Sequence, residues 1–343
     1  MIVTTTDRIE DHAPAGPRPV ALHAPRLSFV VPCYNEEEVL PELMRRLTTV
    51  ASSVVGEDYE IVLVDDGSRD ATREMITQYA EADAHVVAII LARNHGHQRA
   101  LSVGLKYCRG ARVMAIDADL QDPPELLSGM MELMDAGADV VYGQRRRRAG
   151  ETLSKRASAA VFYRTLRWMT DVDIPLDTGD FRLMSRVVVD HLNAMPEDDR
   201  FIRGMVSWLG FRQVPMLYDR AERFAGVTKY PFRKMMRLAI DAITGFSIVP
   251  LRLATVLSVI VAMLSVGMIG WVFLQKALGN VVQGWSSVMI VVLVVGSVQL
   301  LTIGILGEYA GRLYMQSKQR PKYIVDRIIA RPRSDGDDAA GKV

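Results

Sequence analysis

The chain has 343 residues, a formal net charge of +1 and 24% charged residues. That size allows one large domain or two modest ones, and that balance argues against both a disordered chain and a nucleic-acid-binding polycation. The mean hydropathy of +0.11 averages over unlike regions, because residues 253–274 and 285–307 contain no charged residue at all.

Residues 1–25 hold Pro14, Pro17, Pro19 and Pro25 among scattered charges and lack an apolar signal core, which predicts a disordered tail. From residue 26 to about 142 the pattern is α/β. Strands are predicted at 27–31, 60–64, 86–91, 112–116 and 139–142, with helices at 36–50 and 71–82 between them. Such alternation predicts a mostly parallel sheet with helices on both faces, and ligands of such sheets sit at the carboxyl ends of the strands. The only cysteines, Cys33 and Cys108, give no disulfide framework and no zinc-ligand spacing.

Three strand ends carry the polar residues of interest. After the strand at 112–116 come Asp117, Asp119 and Gln121. In an extended segment, residues two apart project to one side, so Asp117 and Asp119 would face one cation. Hard oxygen ligands with open positions suit Mg²⁺ or Mn²⁺ bound together with phosphates, although capping aspartates in a polar turn give a similar pattern. The second strand end, Asp65-Asp66-Gly67-Ser68 followed by Asp70, places acceptors for a ribose or a base N–H; Ser68 and Asp70 also suit a helix cap. The third runs Pro32-Cys33-Tyr34-Asn35-Glu36, where Asn35 suits a helix cap and Tyr34 a base stack. No G-x-G-x-x-G and no P-loop pattern occurs.

The two charge-free runs are each long enough to cross a hydrocarbon core of roughly 30 Å, which takes about 20 helical residues. Phe232, Met235, Met236, Ile240 and Ile243, with Arg233, Lys234, Arg237 and Asp241 between them, predict a basic amphipathic helix at the anionic membrane surface. Arg252 precedes the first run, Arg312, Lys318, Arg320 and Lys322 follow the second, and the connector carries only Lys276. Positive-inside bias puts both termini in the cytoplasm and the connector outside. The predicted organisation is a catalytic domain at 26–228, a juxtamembrane segment at 229–249, spans at 250–274 and 284–307, a cytoplasmic juxtamembrane segment at 308–330 and a disordered tail at 331–343.

Taken in order, Val31-Pro32-Cys33-Tyr34-Asn35-Glu36, Val64-Asp65-Asp66-Gly67-Ser68, Asp117-Ala-Asp119 and Thr178-Gly179-Asp180-Phe181-Arg182 resemble the motif set of family 2 glycosyltransferases with the GT-A fold. Arg223-Phe-Ala-Gly226-Val-Thr228-Lys229-Tyr230 and the two apolar runs resemble the polyprenyl-phosphate branch, closer to bacterial bactoprenol glucosyltransferases than to single-span dolichyl-phosphate mannose synthases. The resemblance implies inverting, metal-dependent transfer of a hexose, glucose first, from a UDP-sugar to undecaprenyl phosphate at the cytoplasmic face, with self-association through the membrane region. Another donor sugar or a non-prenyl acceptor is the alternative. It assigns Asp180 the catalytic position and Asp117, Asp119 and Gln121 the metal. Pro32, Tyr34, Glu36, Asp65, Asp66 and His97 fall to the donor nucleotide, and Arg145, Arg156, Arg223, Thr228 and Lys229 to the phosphates and acceptor. His97 stands where the family pattern has lysine, and a mostly neutral histidine leaves that donor-phosphate contact open. Thr228 stands where serine is commoner and keeps the hydroxyl.

Overall fold

The structure is a computed structural model and describes residues 24–146, 178–197, 200–219, 249–279 and 284–331. These fall into two compact units, one built on a β-sheet and one on a pair of long helices. The expected amphipathic helix around residues 232–243, the tails at 1–23 and 332–343, and Arg156, Arg223, Thr228 and Lys229 lie outside the described residues.

The sheet unit contains β1 (Leu27–Cys33), α1 (Leu40–Val55), β2 (Tyr59–Asp65), α2 (Thr72–Ala82), β3 (Val86–Leu91), α3 (His97–Tyr107), β4 (Arg112–Ala115), α4 (Leu127–Asp135), β5 (Val140–Arg145), β6 (Thr178–Ser185), α5 (Arg186–Ala194), α6 (Ile202–Trp208), β7 (Gln213–Tyr218) and β8 (Val325–Ala330). The strands order as β7-β5-β6-β4-β1-β2-β3-β8. β4, β1, β2 and β3 run parallel, whereas β6 is antiparallel to both β4 and β5, and β8 is antiparallel to β3. The expected mostly parallel α/β sheet is therefore present, with two antiparallel strands added.

Alternate residues of a strand face opposite sides, and both sides are covered. Leu27, Phe29 and Val31 of β1 share a buried cluster with Leu40, Leu43 and Leu47 of α1 and Ile76 of α2. On the other side, a Cβ on Gly104 of α3 would stand 2.2 Å from Val30 and 3.2 Å from Val64, so α3 seats directly on that face. β1 and β2 are buried along their whole length, which is why they read as continuous apolar runs rather than alternating ones.

Several boundaries and roles differ from expectation. Helix α1 begins at Leu40, four residues later than predicted, so Asn35 does not cap it. Instead Asn35 adopts φ 54° and its side-chain oxygen accepts from Arg69 N at 2.9 Å, while its own N–H donates to Ser68 Oγ at 3.1 Å. These bonds tie the loop after β1 to the loop after β2. Nor does Ser68 cap α2, whose N-terminal flank is Ala71.

The segment at 308–330 is not simply a juxtamembrane stretch. Residues up to Ser317 continue the preceding helix, and Val325–Ala330 forms the edge strand β8. Around it, Lys322 Nζ donates to the carbonyls of Pro196 and Glu197, both at 2.7 Å, and Ala92 N donates to Ile324 O at 2.9 Å. Ile324 N also donates to His95 Nε2 at 3.3 Å. No local signal separates a short edge strand from a charged juxtamembrane stretch, because Asp326 and Arg327 face water. Ending the chain after Arg320 would bare the β3 edge and release the loop held through Ala92 and His95. The full chain and this truncation, melted side by side in detergent, should differ by about 5 °C or more, with aggregation of the truncated form.

The second unit comprises α7 (Val249–Ala277) and α8 (Trp285–Ser317), which pack against each other. Both are long and apolar enough to cross a membrane, and neither apolar window is buried in the protein. α8 extends ten residues past the charge-free run. Arg312 and Glu308 pair there at 3.0 Å one turn apart, which supports the added turns.

Candidate active site

Strand register explains why residues far apart in sequence meet. In the antiparallel β4–β6 pair Ala115 faces Arg182, so continuing the ladder two residues brings Asp117 opposite Asp180. In the parallel β1–β4 pair Val30 faces Ala115, and the same extension sets Pro32 beside Asp117. The carboxyl ends of β1, β2 and β4 and the start of β6 thus converge, as the strand-end rule requires.

The chain after β4 corrects one premise. Residues 118–119 form a turn rather than an extended segment, Leu120 adopts φ 57°, and Asp119 Oδ1 accepts from Gln121 N at 3.2 Å. Alternation along a strand therefore does not set the directions of Asp117 and Asp119; a turn does. A left-handed conformation at a non-glycine residue is strained, and Leu120 is held there by burial, being 6% exposed.

Asp117 is the carboxylate whose burial is least compensated, with His97 Nε2 at 3.3 Å as its ion-pair partner. Its Oδ1 is buried with no hydrogen-bond partner among the described residues. Burial pushes its carboxyl up to about 6, against the opposing influence of His97 and with Asp180, Asp122 and Asp119 adding to the rise. A buried carboxylate oxygen among like charges fits a hard divalent cation, which would supply the missing positive charge. Among the described residues no three His, Cys, Asp or Glu side chains converge as a complete ligand set. The fit is therefore to an open site, with Asp117 and Asp119 as protein ligands, Gln121 buried beside them, and positions left for phosphate oxygens.

Asp180 is 7% exposed and surrounded by donors. His97 Nε2 lies 3.2 Å from its Oδ2, and Gln98 Nε2 donates to the same oxygen at 2.6 Å. Arg203 Nε is 3.5 Å from Oδ1. Burial alone would raise this carboxyl, but the His97 hydrogen bond and the charges of Arg203 and Arg182 outweigh it and hold Asp180 well below the usual range. Buried Arg182 is lowered to about 10 by burial, so it stays cationic at neutral pH. His97 Nε2 also lies 3.3 Å from Asp117 Oδ1. Burial lowers its affinity for a proton, yet the Asp180 bond and the Asp117 charge raise it overall. The net direction is upward, because the two carboxylates favour the protonated form.

Asp65 and Asp66 have local duties. Asp65 accepts from Ser68 N at 3.0 Å and pairs with Arg73 Nε at 3.1 Å. Both oxygens of Asp66 hold the loop leading to α3, accepting from His95 N at 2.7 Å and Gly96 N at 2.9 Å. Gly67, at φ 70°, lies against that loop; a Cβ there would stand 2.6 Å from the backbone of Arg93 and Asn94. The second strand end thus positions His97. Tyr34 is 41% exposed, so its ring is available to a ligand. Pro32 is buried, and the Glu36 N–H donates to Thr72 Oγ1 at 2.8 Å.

Arg145, at the end of β5, comes within 4.0 Å of Asp122 and donates to Tyr218 Oη at 3.3 Å. Tyr218 Oη in turn donates to Asp122 Oδ1. A Cβ on Gly179 would stand 3.0 Å from Arg145 Nη2, so the guanidinium borders the residue next to Asp180. The structure brings Asp117, Asp119, His97, Asp180 and Arg145 to one region, while Gln121 is buried just after them with its backbone N–H on Asp119. It adds Gln98, Arg203, Asp122 and Tyr218, which sequence reading passed over; Asp122 directly follows Gln121 of the first strand end, whereas Arg203 and Tyr218 have no local signal.

A family model described as glycosyl transferase family 2 matches residues 28–192, and one described as the GtrB C-terminal hairpin matches residues 249–313. An uncharacterized glycosyltransferase of Bacillus subtilis, YkcC, is 44% identical over 88% of this chain and 93% of its own. The chain belongs to glycosyl transferase family 2. It is a glycosyltransferase carrying the C-terminal hairpin of that branch. A prophage bactoprenol glucosyl transferase homolog of Escherichia coli is 39% identical over 88% of this chain and 99% of its own. The bactoprenol glucosyl transferase of Shigella phage SfV is 40% identical, covering 88% and 98%. Both models fall on the sheet and the helix pair described above, and the first contains every motif from Pro32 to Asp180 that carried the resemblance.

Proposed function

We propose that this glycosyltransferase moves a hexose, glucose first, from a UDP-sugar to undecaprenyl phosphate or a related polyprenyl phosphate, with inversion at the anomeric carbon. The reaction would take place at the cytoplasmic face, α7 and α8 crossing the membrane. The likeness to bactoprenol glucosyl transferases over nearly their whole length supports the acceptor. The observation that carries the chemistry is the meeting of Asp117, His97 and Asp180 within 3.3 Å of one imidazole nitrogen.

A phosphate monoester has a second pKa of roughly 6, so the lipid phosphate arrives largely as a dianion and needs no strong base. Its oxygen attacks the anomeric carbon as the bond from that carbon to the diphosphate breaks, and UDP leaves with the bonding electrons. Asp180, held well below the usual carboxylate range, is a weak base at neutral pH. It serves to orient the acceptor and to stabilise positive charge developing on the sugar ring. Arg145 would supply positive charge beside the departing and attacking phosphates, and His97, whose proton affinity the two carboxylates raise, would donate a hydrogen bond there. A divalent cation, Mg²⁺ or Mn²⁺, held by Asp117 and Asp119 would neutralise charge on the leaving diphosphate. Arg156, Arg223, Thr228 and Lys229 complete the proposed acceptor set, and self-association through the hairpin is part of the same reading.

The test is incubation of membranes bearing the full chain with a panel of radiolabelled nucleotide sugars, undecaprenyl phosphate and Mg²⁺ or Mn²⁺. Label should enter an organic-extractable, mild-acid-labile lipid with UDP-glucose foremost. Label that stays water-soluble with every donor, despite verified acceptor delivery, would refute the assigned reaction.

A further inference from the structure

Gln98 occupies a position that the reaction as drawn does not use. Its Nε2 donates to Asp180 Oδ2 at 2.6 Å, and its Oε1 accepts from the backbone N–H of Ile202 at 3.0 Å, 104 residues along the chain. An amide has one acceptor end and one donor end. With the oxygen committed to an N–H, only the NH₂ can meet Asp180, so the backbone at the start of α6 dictates the orientation of the amide. The next residue of α6 is Arg203, whose Nη1 donates to Thr178 O at 2.8 Å and whose Nε faces Asp180 Oδ1 at 3.5 Å. β6, α3 and α6 are thereby closed into a ring: Asp180, Gln98, Ile202, Arg203 and back to the strand that carries Asp180. Asp180 Oδ1 is buried, has no hydrogen-bond partner among the described residues and faces Arg203 Nε at 3.5 Å, so the ring surrounds the carboxylate on both oxygens.

We propose that Gln98 is a positioning residue: it fixes the direction of the Asp180 carboxylate and the seat of Arg203, and through them the orientation in which Asp180 acts. The proposal rests on the role given above to Asp180, but not on the identity of the acceptor. A bidentate amide bridge suits this task because it reads both partners at once. A shift of either element by about 1 Å breaks one of its bonds, and misplacements of that size cost up to about a hundredfold in rate. The other explanation for Gln98 is structural, namely that it satisfies the Ile202 N–H at the start of α6, where the first helical N–H groups lack intrahelical partners.

Two variants of the full chain separate these roles. Gln98→Met keeps the length of the side chain and loses both bonds. Gln98→Glu keeps an oxygen for Ile202 and loses the donor to Asp180. Nucleoside diphosphate release from the preferred nucleotide sugar is measured at pH 8 in native membranes, a readout that presumes no acceptor, and lipid-extractable label is followed in the same tubes. Both variants should lower kcat about 30-fold or more while the donor KM moves less than about threefold. Adding either to Asp180→Asn should cost less than about a further twofold, because the residue acts through Asp180. Wild-type rates in Gln98→Glu, or a full multiplicative loss in the double variants, would overturn the positioning role and leave the structural one. Diphosphate release without lipid label in the wild type would overturn the acceptor assignment alone.

Discussion

Asp117→Asn should abolish sugar transfer, lowering it by roughly 10³-fold or more, while making the metal-free protein harder to unfold at pH 8. The first effect follows from the proposed function, in which Asp117 is a charged oxygen ligand of a cation beside the diphosphate. The second follows from the environment of Asp117, whose Oδ1 is buried without a hydrogen-bond partner among the described residues and whose carboxyl is pushed up to about 6. The unfolded value is near 3.9. A folded value above it means that the contribution of this group to stability is full below about pH 4 and is lost as pH rises through about 6. Allowing for the partial exposure of the side chain, the ionised form costs about 1–2 kcal/mol at pH 8. Asparagine has the same shape and no charge, so that penalty disappears. Thermal melts of the full chain in detergent with EDTA, at pH 5 and pH 8, give the comparison. The variant should melt above the wild type at pH 8, by about half as much at pH 5 because the unfolded carboxyl is already ionised there, and added Mn²⁺ should raise only the wild-type Tm. A variant that melts lower at pH 8 in chelator would mean that Asp117 is not an uncompensated charge.

Asp180→Asn should reduce kcat about 100-fold, with the donor KM little changed and transfer still measurable above background. The distinction from Asp117→Asn lies in what each carboxylate faces. Asp180 is held well below the usual range by His97, Arg203 and Arg182 despite its burial, so it is ionised throughout the neutral range and a poor proton acceptor there. A lipid phosphate needs none. Removing the negative charge withdraws stabilisation from the sugar ring, but the asparagine oxygen can still accept from Gln98, so the local geometry survives. Single-turnover rates for the wild type, Asp180→Asn and Asp117→Asn, with donor binding measured separately, decide the point. An asparagine variant as inactive as Asp117→Asn, with donor binding intact, would show that Asp180 acts as an obligatory base.

The sequence determined by itself what depends on short-range pattern. Continuous apolar β-branched runs specify β1, β2 and β3, because strands buried on both faces have no polar side to show. Two charge-free runs specify α7 and α8, since nothing else in the chain is apolar over so many consecutive residues. Motif order was sufficient to place Asp117, Asp119 and Asp180 in one family of sites. Tertiary structure alone decided which groups surround them. Gln98 and Arg203 reach Asp180 only because β6 runs antiparallel beside β4, and no local sequence feature encodes that register. The proton affinity of His97 is raised by two carboxylates 20 and 83 residues away. Strand β8 is too polar to announce itself; it forms because the parallel sheet leaves the β3 edge unpaired and residues 325–330 can pair with it. Hydrophobic periodicity is a property of neighbours along the chain, whereas charge environment and edge pairing are properties of neighbours in space, and only folding brings the second kind together.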